Sequence, residues 1–223
     1  MKITDKDFLE CYIRWNSQVN FFTAKLILSE LKKNANHEAK KALYIKLYFE
    51  WIQAAEHLLA FVHTMVKSES EQDFVARIES CPPGGDSFRY LLNDLSKFKD
   101  DPYQLYTYLG LELSREQYLD DEPVFAGFYN SLNVALKNRY TDKGTTRLMK
   151  AFNKIKHGFP VYTVEGTDEI HILLKEKSKQ EWHPFSFDLE FAEGLFDSIE
   201  AYRNTMMNAS LFIIEHGLTK TKG

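Results

Sequence analysis

Cysteine is scarce in this chain. Its 223 residues hold two, Cys11 and Cys81, far apart and without metal-ligand or redox spacing. That excludes a disulfide scaffold or a cysteine zinc site and points to a reduced, cytoplasmic protein. No apolar run approaches the ~20 residues needed to span a bilayer, so no membrane partner is expected. The first residues, Met1 to Asp7, lack the continuous apolar stretch of a signal peptide. There is no Walker A loop, no G-x-G-x-x-G after a strand, no G-x-S-x-G elbow and no kinase signature. Together with the near absence of strand patterns, these gaps remove most common α/β enzymes. A formal net charge of −4 argues against indiscriminate coating of nucleic acid.

What is present is helical. Phe8, Tyr12, Trp15, Val19, Phe22 and Leu26 recur at alternating steps of four and three, and Asn34-Ala35-Asn36 then supplies a turn and a new N-cap. Tyr44, Tyr48, Trp51, Ala55, Leu58, Val62 and Met65 repeat the pattern, so the chain opens as an antiparallel helical hairpin. Short helices are predicted at about 71–79, 87–98, 102–112, 115–120 and 123–138, interrupted by the loop Cys81-Pro82-Pro83-Gly84-Gly85-Asp86. Val161–Val164 and Ile170–Leu174 flank a turn and read as one small β-hairpin, and a last long helix runs from a cap at Ser186 to about His216. The expected fold is all-α. It is a bundle of long antiparallel helices (about 5–32, 38–67 and 186–216) with shorter helices and the hairpin insertion at about 161–174, forming a single domain over residues 1–223. Aromatic residues on long helices suggest a homodimer.

Between Lys137 and His157 seven basic residues face one acid, Asp142, against the charge of the rest of the chain. On a helix Lys143, Arg147, Lys150, Lys154 and His157 would share one face, with Leu148, Phe152 and Ile155 as an apolar stripe. Such a face can supply charge-assisted donors to phosphate, and an imidazole beside it can transfer a proton. The alternative is a solvated helix face.

The wording Asn153-Lys154-Ile155-Lys156-His157-Gly158-Phe159-Pro160-Val161, followed by a hairpin and a long helix, resembles a stretch of HEPN-like helical proteins. The resemblance spans about residues 140–216. It implies a core of about four helices, a tendency to dimerise, and either metal-independent ribonuclease activity or binding of nucleotide, RNA or partners, with His157 and Asn153 as catalytic candidates. The superfamily's signature places a histidine four to six residues after an arginine followed by a polar residue. Here Arg147 precedes His157 by ten positions and is followed by Leu148, and Arg203-Asn204 has no histidine at that distance.

Two other stripes compete. Glu190, Glu193 and Asp197 share a face of the last helix and could hold Mg²⁺ beside a nucleotide, as in MazG-like all-α pyrophosphatases. Glu190-x-x-Glu193 matches the first half of that family's pattern, whereas Glu193 to Asp197 is one residue too long for the second. On the second helix Lys46, Glu50, Gln53 and His57 form a polar stripe on an otherwise apolar element. That stripe either faces solvent or lines a cleft suited to acid–base work. A helical interaction protein without catalysis is the third reading.

Overall fold

The computed structural model describes residues 5–79, 88–111, 114–120, 122–141, 144–158, 161–168, 170–176, 179–185 and 187–216. The expected Cys81–Asp86 loop, Lys143 and the Ser186 cap lie outside the described residues. The fold is all-α. Among the described residues nine α-helices follow one another: α1 Asp5–Lys33, α2 His37–Lys67, α3 Glu71–Glu79, α4 Arg89–Leu95, α5 Tyr103–Leu109, α6 Arg115–Asp120, α7 Glu122–Arg139, α8 Arg147–Lys156 and α9 Leu189–His216. None of the described helices is long and apolar enough to cross a membrane.

Helices α1, α2 and α9 pack pairwise and form the centre, with α7 laid against α2 and α9. Asn36 starts α2 by accepting the amides of Glu38 and Ala39 at 2.9 and 3.2 Å, the cap anticipated from sequence. All seven residues of the predicted α2 stripe are buried, as are Ala192, Leu195, Ile199, Tyr202 and Met206 of α9. Helix α1 differs from expectation. Its buried side is Phe21, Ala24, Ile27 and Leu31, whereas Trp15, Val19, Phe22 and Leu26 are exposed and Phe8 and Tyr12 only partly buried. Two apolar faces share this helix, and the one with the cleaner period points away from the core.

Strand content exceeds a single hairpin. Strands β3 (Val161–Thr163) and β4 (Ile170–Glu176) pair as anticipated, Val161 opposite Ile172, and β5 (Lys179–Phe185) extends them into a three-stranded antiparallel sheet. Pro184 lies opposite His171 on β5, which is the sheet's edge, where a residue without N–H is tolerated. A two-residue ladder, β1 (Tyr140–Thr141) with β2 (Gly144–Thr145), separates α7 from α8. The basic segment is thus divided among three elements. It is the end of α7, a tight ladder and the ten residues of α8.

Candidate functional site

Helix α8 begins where Thr146 accepts the Met149 amide at 3.3 Å and donates its hydroxyl to the Asn138 carbonyl, fixing α8 to the end of α7. It stops at Gly158, whose φ of +73° suits a residue without a side chain. Met149, Ala151 and Phe152 are buried, with Leu148 and Ile155 packed beside them. The Phe152 ring lies 4.9 Å from Phe49 of α2, and the buried Tyr48 hydroxyl donates to the Leu148 carbonyl. Burial pushes that phenol's pKa well above its ordinary value, so it stays a neutral donor.

The other side of α8 faces out. Arg147, Lys150, Asn153, Lys156 and His157 are exposed and Lys154 is partly exposed. Lys150 has no carboxylate within ion-pair distance among the described residues. Asn153 and His157 stand one turn apart, the His157 amide closing on the Asn153 carbonyl at 3.1 Å. The structure thus brings Arg147, Lys150, Asn153 and Lys154 onto one short helix, with His157 as its C-cap.

Arg139, one of the seven basic residues of this segment, does something else. It is buried (8% exposed), its Nη1 is 2.6 Å from Glu56 Oε1, and its Nε donates to the Tyr140 hydroxyl at 2.9 Å. Burial disfavours its charge, but the hydrogen bonds and charges of Glu56 and Tyr140 prevail and hold its pKa above the ordinary arginine value. This arginine holds α7 to α2 and offers nothing to a ligand. The Glu56–Arg139 pair was not foreseen; Glu56 on a mostly apolar α2 was its one sequence signal.

The polar stripe of α2 divides between solvent and core. Lys46 and Gln53 are exposed, His57 is partly buried and Glu50 is buried (4% exposed). Glu50 meets Lys46 Nζ at 2.5 Å and accepts from Asn20 Nδ2 at 2.9 Å; the same amide reaches Gln53 Oε1 at 3.3 Å. His57 and Asn20 line a cavity of about 10 Å³ with Tyr202 and Arg203 of α9, and the Arg203 guanidinium sits 4.6 Å from the Phe21 ring centre. That volume is the lower limit for one water molecule. Its hydrogen bonds tie α1 to α2, Arg203 of α9 adds the contact with Phe21, and the cavity has no room for a substrate. Asn20 and Arg203 belong to it although the sequence reading of the stripe did not include them.

On α9, Glu190 and Asp197 are exposed, and Glu193 is engaged by Lys32 of α1 at 2.7 Å. Among the described residues no three His, Cys, Asp or Glu side chains converge in a way that could hold a metal ion. A half-open apolar groove of about 200 Å³, between α5, α7 and α9, is lined by Tyr106, Val124, Phe128, Leu211 and Phe212 with Glu215 at its edge. It was not anticipated, since its walls come from elements distant in sequence.

At the opposite end of α2, Asp168 in the β3–β4 turn is held by His37 Nδ1 at 2.7 Å and Lys40 Nζ at 3.5 Å. The hydrogen bond with His37, aided by Lys40, keeps its carboxyl below the usual range despite partial burial. Lys41 Nζ also donates to the Val164 carbonyl at 3.0 Å, so the sheet that follows α8 is pinned to the start of α2. No protein family, curated protein or solved structure matches this chain.

Proposed function

We propose that the protein binds phosphate-bearing ligands, nucleotides or RNA, through the outer face of α8, and that it works as a homodimer. The observation that carries this is the seating of α8. Its apolar side is buried on α2 and the adjoining core, which leaves Arg147, Lys150 and Lys154 on the outward side. Rigidly mounted cations suit phosphate, because the protein has already met the cost of ordering the helix. The acidic balance of the remaining chain confines attraction to this face.

His157, exposed beside those cations, supplies a group able to take the proton of a ribose 2′-hydroxyl as that oxygen attacks the adjacent phosphate; the 2′,3′-cyclic phosphate forms as the P–O5′ bond breaks, and the departing 5′-oxygen takes a proton from water. Arg147 and Lys150 would offset the charge that develops on the phosphoryl oxygens. This chemistry needs no metal. The HEPN-like wording around Asn153 and His157 supports the same reading. The exposed free thiol of Cys11 supports a reducing, cytoplasmic setting.

The test is fluorescence anisotropy of a labelled short single-stranded RNA, and of a labelled nucleotide, with chelator present throughout. Three phosphate contacts give a log–log salt slope of about −2, or roughly a twentyfold loss of affinity between 50 and 200 mM salt. Arg147→Ala with Lys150→Ala should lower the slope to about −0.7. Absence of binding, binding indifferent to these substitutions, or binding that appears only with magnesium would overturn the proposal. Cleavage of the RNA that disappears in His157→Ala would assign the proton-transfer role.

A further inference from the structure

Helix α1 carries an apolar seam that the described residues leave uncovered. Trp15 is 70% exposed, Val19 51%, Phe22 51% and Leu26 69%. They stand at steps of four, three and four, within a narrow stripe. The opposite side of the helix, with Asn20, Phe21, Ala24, Ile27 and Leu31, is buried in the bundle. At aromatic and aliphatic side-chain sizes, the four expose roughly 450 Å² of surface. That is already the size of the largest apolar patch on an ordinary monomer. The 4-3-4 spacing is that of a coiled-coil seam, whose knobs fit the holes of another helix better than a flat surface.

We infer that this seam is the contact between two copies of the chain, packed as an antiparallel α1–α1 pair about a two-fold axis crossing α1 between Asn20 and Phe21. The inference deepens the homodimer proposed above and rests on it. In this register Val19 of each chain meets Phe22 of the other, and Trp15 meets Leu26, so a large side chain faces a smaller one at each layer. Charge selects the direction. Asp7 is exposed near the N-terminal end of α1 and Lys33 at its C-terminal end. Antiparallel packing brings Asp7 of one chain beside Lys33 of the other at both ends, and it also opposes the two helix dipoles. Parallel packing would set Asp7 beside Asp7 and Lys33 beside Lys33. The four seam residues supply about half of the ~800 Å² that a standard interface takes from each partner. The flanking Cys11, Gln18, Lys25 and Glu30 lie where the remainder would come from.

Sedimentation equilibrium of the whole chain tests this. The expected result is a mass twice 26.1 kDa that falls to the monomer value in Trp15→Glu with Leu26→Lys. Both positions are exposed, so circular dichroism and melting should show the double variant folded. Asp7→Lys alone and Lys33→Asp alone should each weaken association, roughly tenfold at low salt. The double swap should restore it, and so should mixing the two single variants. A monomeric wild-type chain at 100 µM overturns the homodimer and the seam together. A dimer indifferent to Trp15→Glu and Leu26→Lys overturns the seam alone. Charge swaps that fail to rescue one another overturn the antiparallel register. RNA binding by α8 is read in a separate assay, so its outcome leaves this one unaffected.

Discussion

Removing the Glu56 carboxylate should cost far more than a half-exposed glutamate ordinarily does. Arg139 loses its surroundings of water on folding, its side chain keeping 9% exposure, while Glu56 keeps 40%. Taking a guanidinium out of water costs several kcal/mol, recovered here from the 2.6 Å contact with Glu56, the Tyr140 hydroxyl and the ring faces of Phe88 and Tyr140 at 5.8 and 5.5 Å. Breaking a fully buried pair costs about 3–5 kcal/mol. Water can reach part of the gap left by Glu56, so Glu56→Ala should cost about 1.5–3 kcal/mol, and Glu56→Gln about half of that. Arg139→Met replaces the cation with an apolar side chain of similar length. In that background Glu56→Ala should cost less than about 0.5 kcal/mol, giving a coupling energy of about 1–3 kcal/mol. The assay is urea unfolding of the four proteins of the cycle, compared at equal m-values. A Glu56→Ala cost below about 0.5 kcal/mol, or one unchanged by Arg139→Met, would refute the reasoning. RNA binding should be untouched by Glu56→Gln, because Arg139 is no part of the outer face of α8.

Two further outcomes are expected. Asn36→Ala should lower stability by about 1 kcal/mol by leaving the Glu38 and Ala39 amides uncapped, whereas Asn36→Asp should hold the wild-type melting temperature or raise it. His63 has its pKa lowered by burial and then by the charges of Lys67 and Arg77, and it pairs with the Tyr90 hydroxyl at 2.8 Å. The unfolded chain therefore takes up this proton first as pH falls through about 6.5. The stability linked to His63 is complete above that value and drains as pH falls towards the folded pKa. Melting followed from pH 7.5 to 5 should show a steeper loss in wild type than in His63→Gln; parallel curves would remove His63 from the account.

Legibility from sequence followed the physics of each element. Long helices announce themselves because many apolar residues must keep one period, and α2 buried every residue its period picked out. Period identifies a face but not what covers it. On α1 the residues Trp15 to Leu26 form the cleaner stripe, yet Phe21, Ala24, Ile27 and Leu31 meet the bundle. Strand β5 escaped notice because Gln180-Glu181-Trp182-His183-Pro184 shows no clean alternation and contains a proline. Its pairing comes from β4, not from its own propensity. The basic segment was legible as composition, but Arg139 and Lys150 look alike in sequence and only the fold decides which one is buried with a carboxylate. The polar stripe of α2 was legible as a stripe, whereas the closure of its cavity depends on Arg203 and Tyr202, well over a hundred residues away.

The way the start of α2 grips the segment around α8 has a consequence in time. Tyr48 meets Leu148 across 100 positions, Lys41 meets Val164 across 123, and His37 meets Asp168 across 131. Synthesis at about 5–20 residues per second leaves the finished α1–α2 hairpin waiting on the order of 5–20 s before these partners emerge. Through that interval the apolar surface of α2 that later receives α8 and α9 stands bare beside the seam of α1. The nascent chain is then at its most adhesive, and the outer face of α8 can gain its fixed geometry only after that exposure ends.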